Sequence, residues 1–194
     1  MARRIRTSKT LKPVHLFICE DSKSSKYYME GLGKAKNINI KAENAGGTSP
    51  ENVYETAKQK LALFKDEGTA KIYCMFDKDD CAKGKFKKII TDCRRNGIIP
   101  AFSIPCYEYW LLLHLKKTNQ PFANAHECCE VFKNEYNRYF RTNYEINNLK
   151  ARKEIFSDLE DKLNTAISNA EGLNTNENEE PYTNMHEVIK DIIK

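Results

Sequence analysis

The spacing of hydrophobic positions changes several times along this chain, and each change marks an element. Val14 to Cys19 (VHLFIC) is a short apolar run carrying Val, Phe and Ile, read as a buried strand that stops on Glu20-Asp21-Ser22. A helix follows over about 24–34, then a weaker strand over 38–42 closed by the turn signal Gly46-Gly47-Thr48. Ser49-Pro50-Glu51 opens a second helix: Ser supplies an N-cap oxygen, Pro loses nothing at the first helical position, and Glu sits at the positive end of the helix dipole. The stripe Val53, Ala57, Leu61 and Phe64 keeps helical spacing behind it.

Lys71 to Asp80 (KIYCMFDKDD) is a third strand, and it ends on three carboxylates within four positions. An amphipathic helix is expected at about 83–96, with Phe86, Ile89, Ile90 and Cys93 inward, followed by a strand over 98–104. After Pro105-Cys106 a largely apolar helix begins near Tyr107 (YEYWLLLHL). Strands alternating with helices over the first 115 residues predict a mostly parallel four-stranded α/β sheet covered on both faces. Beyond residue 120 only helices are expected, at about 124–140, 149–170 and 184–193, the last capped by Thr183 and preceded by the polar stretch GLNTNENEEP. The expected division is a basic flexible arm (1–12), an α/β core (13–118) and a helical extension packed on it (119–194).

At 194 residues the chain supports one substantial core rather than two ordinary domains. No apolar run approaches the roughly 20 residues of a membrane span, so no membrane partner is expected. The opening MARRIRTSKTLKP leads into no signal-type apolar region, and a cytoplasmic location is expected. Seven cysteines without a C-x-x-C pair read as reduced, mostly buried thiols, and His126 with Cys128 and Cys129 lacks a second ligand pair for zinc. The net charge of +5 permits a polyanion, and its distribution points to Arg3 and Arg4 in the arm and Lys83, Lys85 and Lys87 as nucleic-acid contacts. For the lysines, the solvated face of an amphipathic helix is an equal reading.

Adjacent carboxylates repel unless a cation neutralises them, and hard oxygen donors suit Mg²⁺ or Mn²⁺. Positions 77 and 79 of an extended segment point the same way, so Asp77 and Asp79 can share an ion, with Asp80 beside them. An isolated D-x-D also reads as a solvated acidic turn. Ligands of doubly wound sheets bind at the carboxyl ends of strands, and Glu20, the aspartates and Glu108 all fall at such ends, with Glu43 a weaker fourth. That shared rim favours a metal site that includes Glu20 and the aspartates, while Glu108, in the first turn of an apolar helix, reads equally as an acid favoured by the helix dipole and as a buried catalytic candidate. Within the apolar helix, His114 reads as a hydrogen-bonded core residue.

A Glu closing the first strand and a later strand ending in D-x-D resemble the Toprim domain of topoisomerases, bacterial primases and OLD-type nucleases. More closely, Cys19-Glu20, FDKDD at 76–80, PCYEYWLLLH at 105–114 and PYTNM at 181–185 resemble the RloB family of bacterial defence proteins. The resemblance implies a Toprim-like (Rossmann-like) fold and phosphodiester chemistry, with Asp77 and Asp79 holding Mg²⁺ and Glu20 serving as general acid/base or ligand. It implies a nuclease-like effector in anti-phage defence, acting on DNA or RNA. The alternative is a catalytically degenerate module that binds nucleic acid or a partner ATPase. In one place the chain departs from the family: Asp21 follows Glu20 where Gly is usual, and Ser24-Ser25 replace a Thr-Glu pair, leaving Asp21 as the nearest substitute for the lost acid.

Overall fold

The computed structural model describes residues 13–64, 70–79, 81–173 and 176–194. In chain order the elements are β1 (Val14–Cys19), α1 (Ser24–Lys36), β2 (Ile40–Asn44), α2 (Pro50–Phe64), β3 (Ala70–Asp77), α3 (Lys83–Arg95), β4 (Ile99–Ile104) and α4 (Glu108–Leu115). The second half adds α5 (Ala125–Phe140), α6 (Ile146–Lys150), α7 (Ile155–Leu159), α8 (Leu163–Leu173), β5 (Tyr182–Thr183) and α9 (Met185–Ile192). The sheet runs β2-β1-β3-β4-β5, parallel except for antiparallel β5, which makes the fold Rossmann-like. From β1 the chain goes outward to β2, then returns to the other side for β3. The switch point therefore lies between the carboxyl ends of β1 and β3.

Alternation along each strand splits the interior into two layers, because successive side chains leave opposite faces. Leu16, Ile18, Ile72, Cys74, Phe76 and Phe102 pack with Val53 of α2 and with Phe86 and Ile90 of α3. Phe17, Cys19, Tyr73 and Met75 face the other way, toward Tyr28 of α1 and Trp110 of α4. Phe132, Leu159 and Met185 join this second layer, so the helical extension completes a core that the sheet begins. Burying side chains such as Trp110 and Phe132, each almost without exposure, contributes roughly 2–3 kcal/mol apiece by area removed from water.

The Ser49 cap read from sequence is present, the Asn52 amide donating to Ser49 Oγ at 3.4 Å, whereas the last helix starts one residue later than expected, at Met185 after Asn184, so Thr183 belongs to the strand before it and accepts from the Met185 amide at 3.2 Å. Three further features differ from expectation. The second strand lies two residues later, at Ile40–Asn44, because Asn37 turns left-handed (φ 54°) to close α1. A fifth strand is added at the sheet edge. Asn184 anchors it: its Oδ1 accepts from the Phe102 amide, its Nδ2 donates to the Pro100 carbonyl (both 2.8 Å), and its amide donates to the Phe102 carbonyl at 3.2 Å.

The helix expected over 149–170 is broken into α6, α7 and α8. Arg152 turns back to hold Asp158, which also accepts the Tyr136 hydroxyl at 2.7 Å, and Ile155 and Phe156 dive into the core beneath α1. The approach is close enough that a Cβ on Gly31 of α1 would stand 2.6 Å from Phe156 Cβ, so a side chain at 31 forces the two helices apart. No helix among the described residues is long and apolar enough to cross a membrane.

Candidate active site

Glu20 leaves β1 at the switch point, where its amide donates to the Met75 carbonyl at 3.0 Å and its Oε2 accepts from the Asp77 amide at 3.0 Å. One carboxylate thus caps the end of β3 and is held against the strand that carries the aspartates. Asp77 belongs to the layer of Tyr73 and Met75 and so faces α1 and α4. Beyond it the strand stops. Asp79 adopts φ 38°, a left-handed conformation that Asp tolerates better than most residues, and its amide donates to the Pro105 carbonyl at 3.0 Å. The turn brings Asp79 to the same cavity as Asp77, while Lys78 leaves the other side and pairs with Glu180 at 2.5 Å.

Glu108 begins α4 and is 2% exposed. Its Oε1 accepts from Ser24 Oγ at 3.0 Å and faces Lys150 Nζ at 3.5 Å, while Oε2 accepts from the Cys129 thiol at 3.5 Å. Asp21 is tied to the start of α1, accepting from Ser25 Oγ at 2.5 Å and, at 3.1 Å, sharing the single Ser24 hydroxyl proton with Glu108. The two serines that stand where Thr-Glu was expected therefore orient Asp21 and Glu108. Glu20, Asp21, Asp77, Asp79 and Glu108 all line one cavity of about 240 Å³, with Ser25, Thr48, Tyr107 and Lys150 on its walls.

Concentrating acids in a half-dry cleft raises their proton affinity. Glu20 is pushed up to about 7, first by burial and then by Asp79 and Asp21, against the opposing hydrogen bond from the Asp77 amide. Asp77 lies well above the usual carboxylate range because of burial and then the charges of Glu108 and Glu20. Lys150, although burial opposes its charge, is held above its ordinary value by Glu108.

A hard divalent cation fits this donor set. The donors are carboxylate oxygens, and Tyr107 on the cavity wall keeps its hydroxyl buried without a hydrogen-bond partner among the described residues. No three of the described acids bring oxygens within 4.8 Å of one another. Mg²⁺ does not require that, since it keeps several waters and uses one or two protein carboxylates.

Other sequence expectations fall elsewhere. Glu43 lies inside β2 and pairs with Lys41 and Lys60 at 2.7 and 2.6 Å, away from the cavity, because the strand runs two residues further than its pattern indicated. His114 is a core residue, hydrogen-bonded to the Tyr28 hydroxyl at 2.9 Å and pushed down to about 4 by burial. Lys83 and Lys87 line a pocket on the α3 side of the sheet whose other cations, Lys78 and Arg94, pair with Glu180 and Glu177 of the same pocket, whereas Lys85 turns to Glu51 at 2.5 Å. His126 is exposed and apart from the buried Cys128 and Cys129. Asp80, Arg3 and Arg4 lie outside the described residues. Lys150 was not singled out by sequence. It carries no local signal, because its part in the site comes from a helix break 42 positions beyond Glu108.

A family model described as RloB-like protein matches residues 15–192. No curated protein and no solved structure matched the chain.

Proposed function

The chain belongs to the RloB-like protein family, and from that premise we propose that it is a Toprim-like, divalent-metal-dependent nuclease serving in defence against phage. One observation carries the reading. Acids from the ends of β1 and β3 and from the start of α4 line a single cavity at the topological switch point, the place where open α/β sheets bind ligands.

In this reading Asp77 and Asp79 hold Mg²⁺ or Mn²⁺, which keeps several of its waters, and Glu20 acts on the cation through one of them. When bound, such a cation polarises a phosphate oxygen and lowers the pKa of an attacking water. Glu20, with a proton affinity near neutrality and one oxygen fixed by the Asp77 amide, is suited to accept or return a proton at working pH. Ser24 and Lys150 hold Glu108 in place at the cavity wall. Lys83 and Lys87, on the far side of the sheet from Glu108, serve as phosphate contacts for a longer strand.

A second reading has a specific observation in its favour. The serines in place of Thr-Glu engage Asp21 and Glu108 inside the fold, which suits a module that binds nucleic acid or a partner ATPase without cutting. The experiment is incubation of the full chain with Mg²⁺ or Mn²⁺ and double-stranded DNA, single-stranded DNA, RNA and tRNA. Cleavage of one class that EDTA abolishes is the expected result. Salt-dependent binding without cleavage, unchanged in Asp77→Asn, establishes the second reading instead. Under either, Lys83→Gln and Lys87→Gln are expected to lower the slope of log affinity against log salt by about one each.

A further inference from the structure

Behind Glu108 the structure gathers a second set of donors, of different chemistry. Cys106 precedes α4, Cys129 lies in α5, and both stand beside the Glu108 carboxylate at 3%, 5% and 2% exposure respectively. One ligand atom from each lies within 4.8 Å of the other two. The Cys106 and Cys129 sulfurs are 3.9 Å apart, and Cys129 Sγ is 3.5 Å from Glu108 Oε2.

These spacings match those around a small tetrahedral cation. With zinc–sulfur bonds of about 2.3 Å and zinc–oxygen bonds of about 2.0 Å, tetrahedral geometry separates two sulfurs by about 3.8 Å and a sulfur from an oxygen by about 3.5 Å. We propose that Cys106, Cys129 and Glu108 form a site for a thiophilic divalent cation, Zn²⁺ by class, distinct from the carboxylate cavity in front of it.

The surroundings support the assignment. Glu108 is divided between its two oxygens: Oε1 is engaged by Ser24 and Lys150, and Oε2 faces Cys129. Outer partners that lock one carboxylate oxygen are what a buried ligand needs to keep its geometry. Charge also closes. Two thiolates and a carboxylate carry three negative charges, a divalent cation returns two, and the Lys150 ammonium 3.5 Å from Glu108 supplies the last, so the buried assembly is neutral. Sulfur donors select against Mg²⁺, and the oxygen-lined cavity selects for it, so one chain can separate the two ions. Three protein donors is the number that open zinc sites use, with the fourth position left to water.

Cobalt(II) is the probe, since it replaces zinc and reports thiolate ligation by absorption. The full chain, reduced and stripped with chelator, is expected to develop a near-ultraviolet thiolate-to-cobalt charge-transfer band whose intensity corresponds to one thiolate-bound Co²⁺ per chain and which Zn²⁺ erases. Cys106→Ala and Cys129→Ala are each expected to lose the band, and Asp77→Asn to keep it. No charge-transfer band in the wild-type chain means that the thiols form a hydrogen-bonded pair only and overturns the site, whether or not the variants fold. A band that survives in both folded cysteine variants overturns the assignment of ligands. Because the readout is spectroscopic and independent of Asp77, its failure is distinguishable from failure of the nuclease reading.

Discussion

Asp77→Asn is expected to lower metal-dependent cleavage by about 10³-fold or more while raising the melting temperature of the metal-free protein. The two effects have one cause. Asp77 is half-buried and faces Glu108 and Glu20 across the cavity, and burial followed by those two charges holds its proton affinity well above the usual range. A neutral amide of the same shape removes the repulsion and, with it, the ligand. Function and stability therefore oppose each other at this position, as they commonly do in active sites. The sign with pH follows from proton binding. Glu20 moves from an ordinary 4.5 to about 7 in the folded chain, so between those values the native state holds more protons than the unfolded one and stability falls as pH rises. Asp77 is displaced in the same direction and adds to the slope. Melting curves of the metal-free wild type are expected to drop from about pH 5 to about pH 8, and Asp77→Asn to flatten that drop. Saturating Mg²⁺ is expected to offset part of the loss at the higher pH, since a cation at about 100 times its Kd contributes roughly 2.7 kcal/mol. A wild-type melting temperature that rises over this window contradicts the assignment.

Lys150→Met is expected to cost roughly 3 kcal/mol of stability, and Glu108→Gln in the same chain to recover most of it. Glu108 is 2% exposed, and the Lys150 ammonium at 3.5 Å is the cation it faces. Removing one member of a buried pair strands the other without water, which typically costs about 3–5 kcal/mol; the low end applies because the Lys150 side chain keeps 34% of its exposure. An amide at 108 still accepts from Ser24 Oγ, so the double variant loses the pair without leaving a buried charge. The check is a double-mutant cycle by denaturant unfolding. A coupling energy near zero between positions 108 and 150 places Lys150 outside the site.

Much of the site was legible because it is carried by local signals at element ends. KIYCMFDKDD announces a buried strand and its acidic tip, and the order of strands and helices puts Glu20, Asp77, Asp79 and Glu108 on one rim, where all four line one cavity. The same-side placement of Asp77 and Asp79 arises differently from the expectation, through a left-handed turn at Asp79 rather than continued extension. What pattern could not reveal depends on contacts distant in sequence. The β5 edge strand is two residues long and is held by Asn184 against β4, with no periodicity of its own. The break after α6 answers to the Arg152–Asp158 pair and to burial of Phe156, and it delivers Lys150 to Glu108. Cys106 and Cys129 meet only because α5 packs on α4, and neither lies in a spacing that marks a metal ligand.

Anomalous diffraction from crystals soaked in Mn²⁺ shows whether the acids at the switch point hold a hard divalent cation. The expected result is a manganese peak coordinated by Asp77 or Asp79 within reach of Glu20, at oxygen distances near 2 Å, and no such peak in Asp77→Asn crystals. A cavity without manganese at saturating concentration, or manganese bound only elsewhere on the chain, contradicts it.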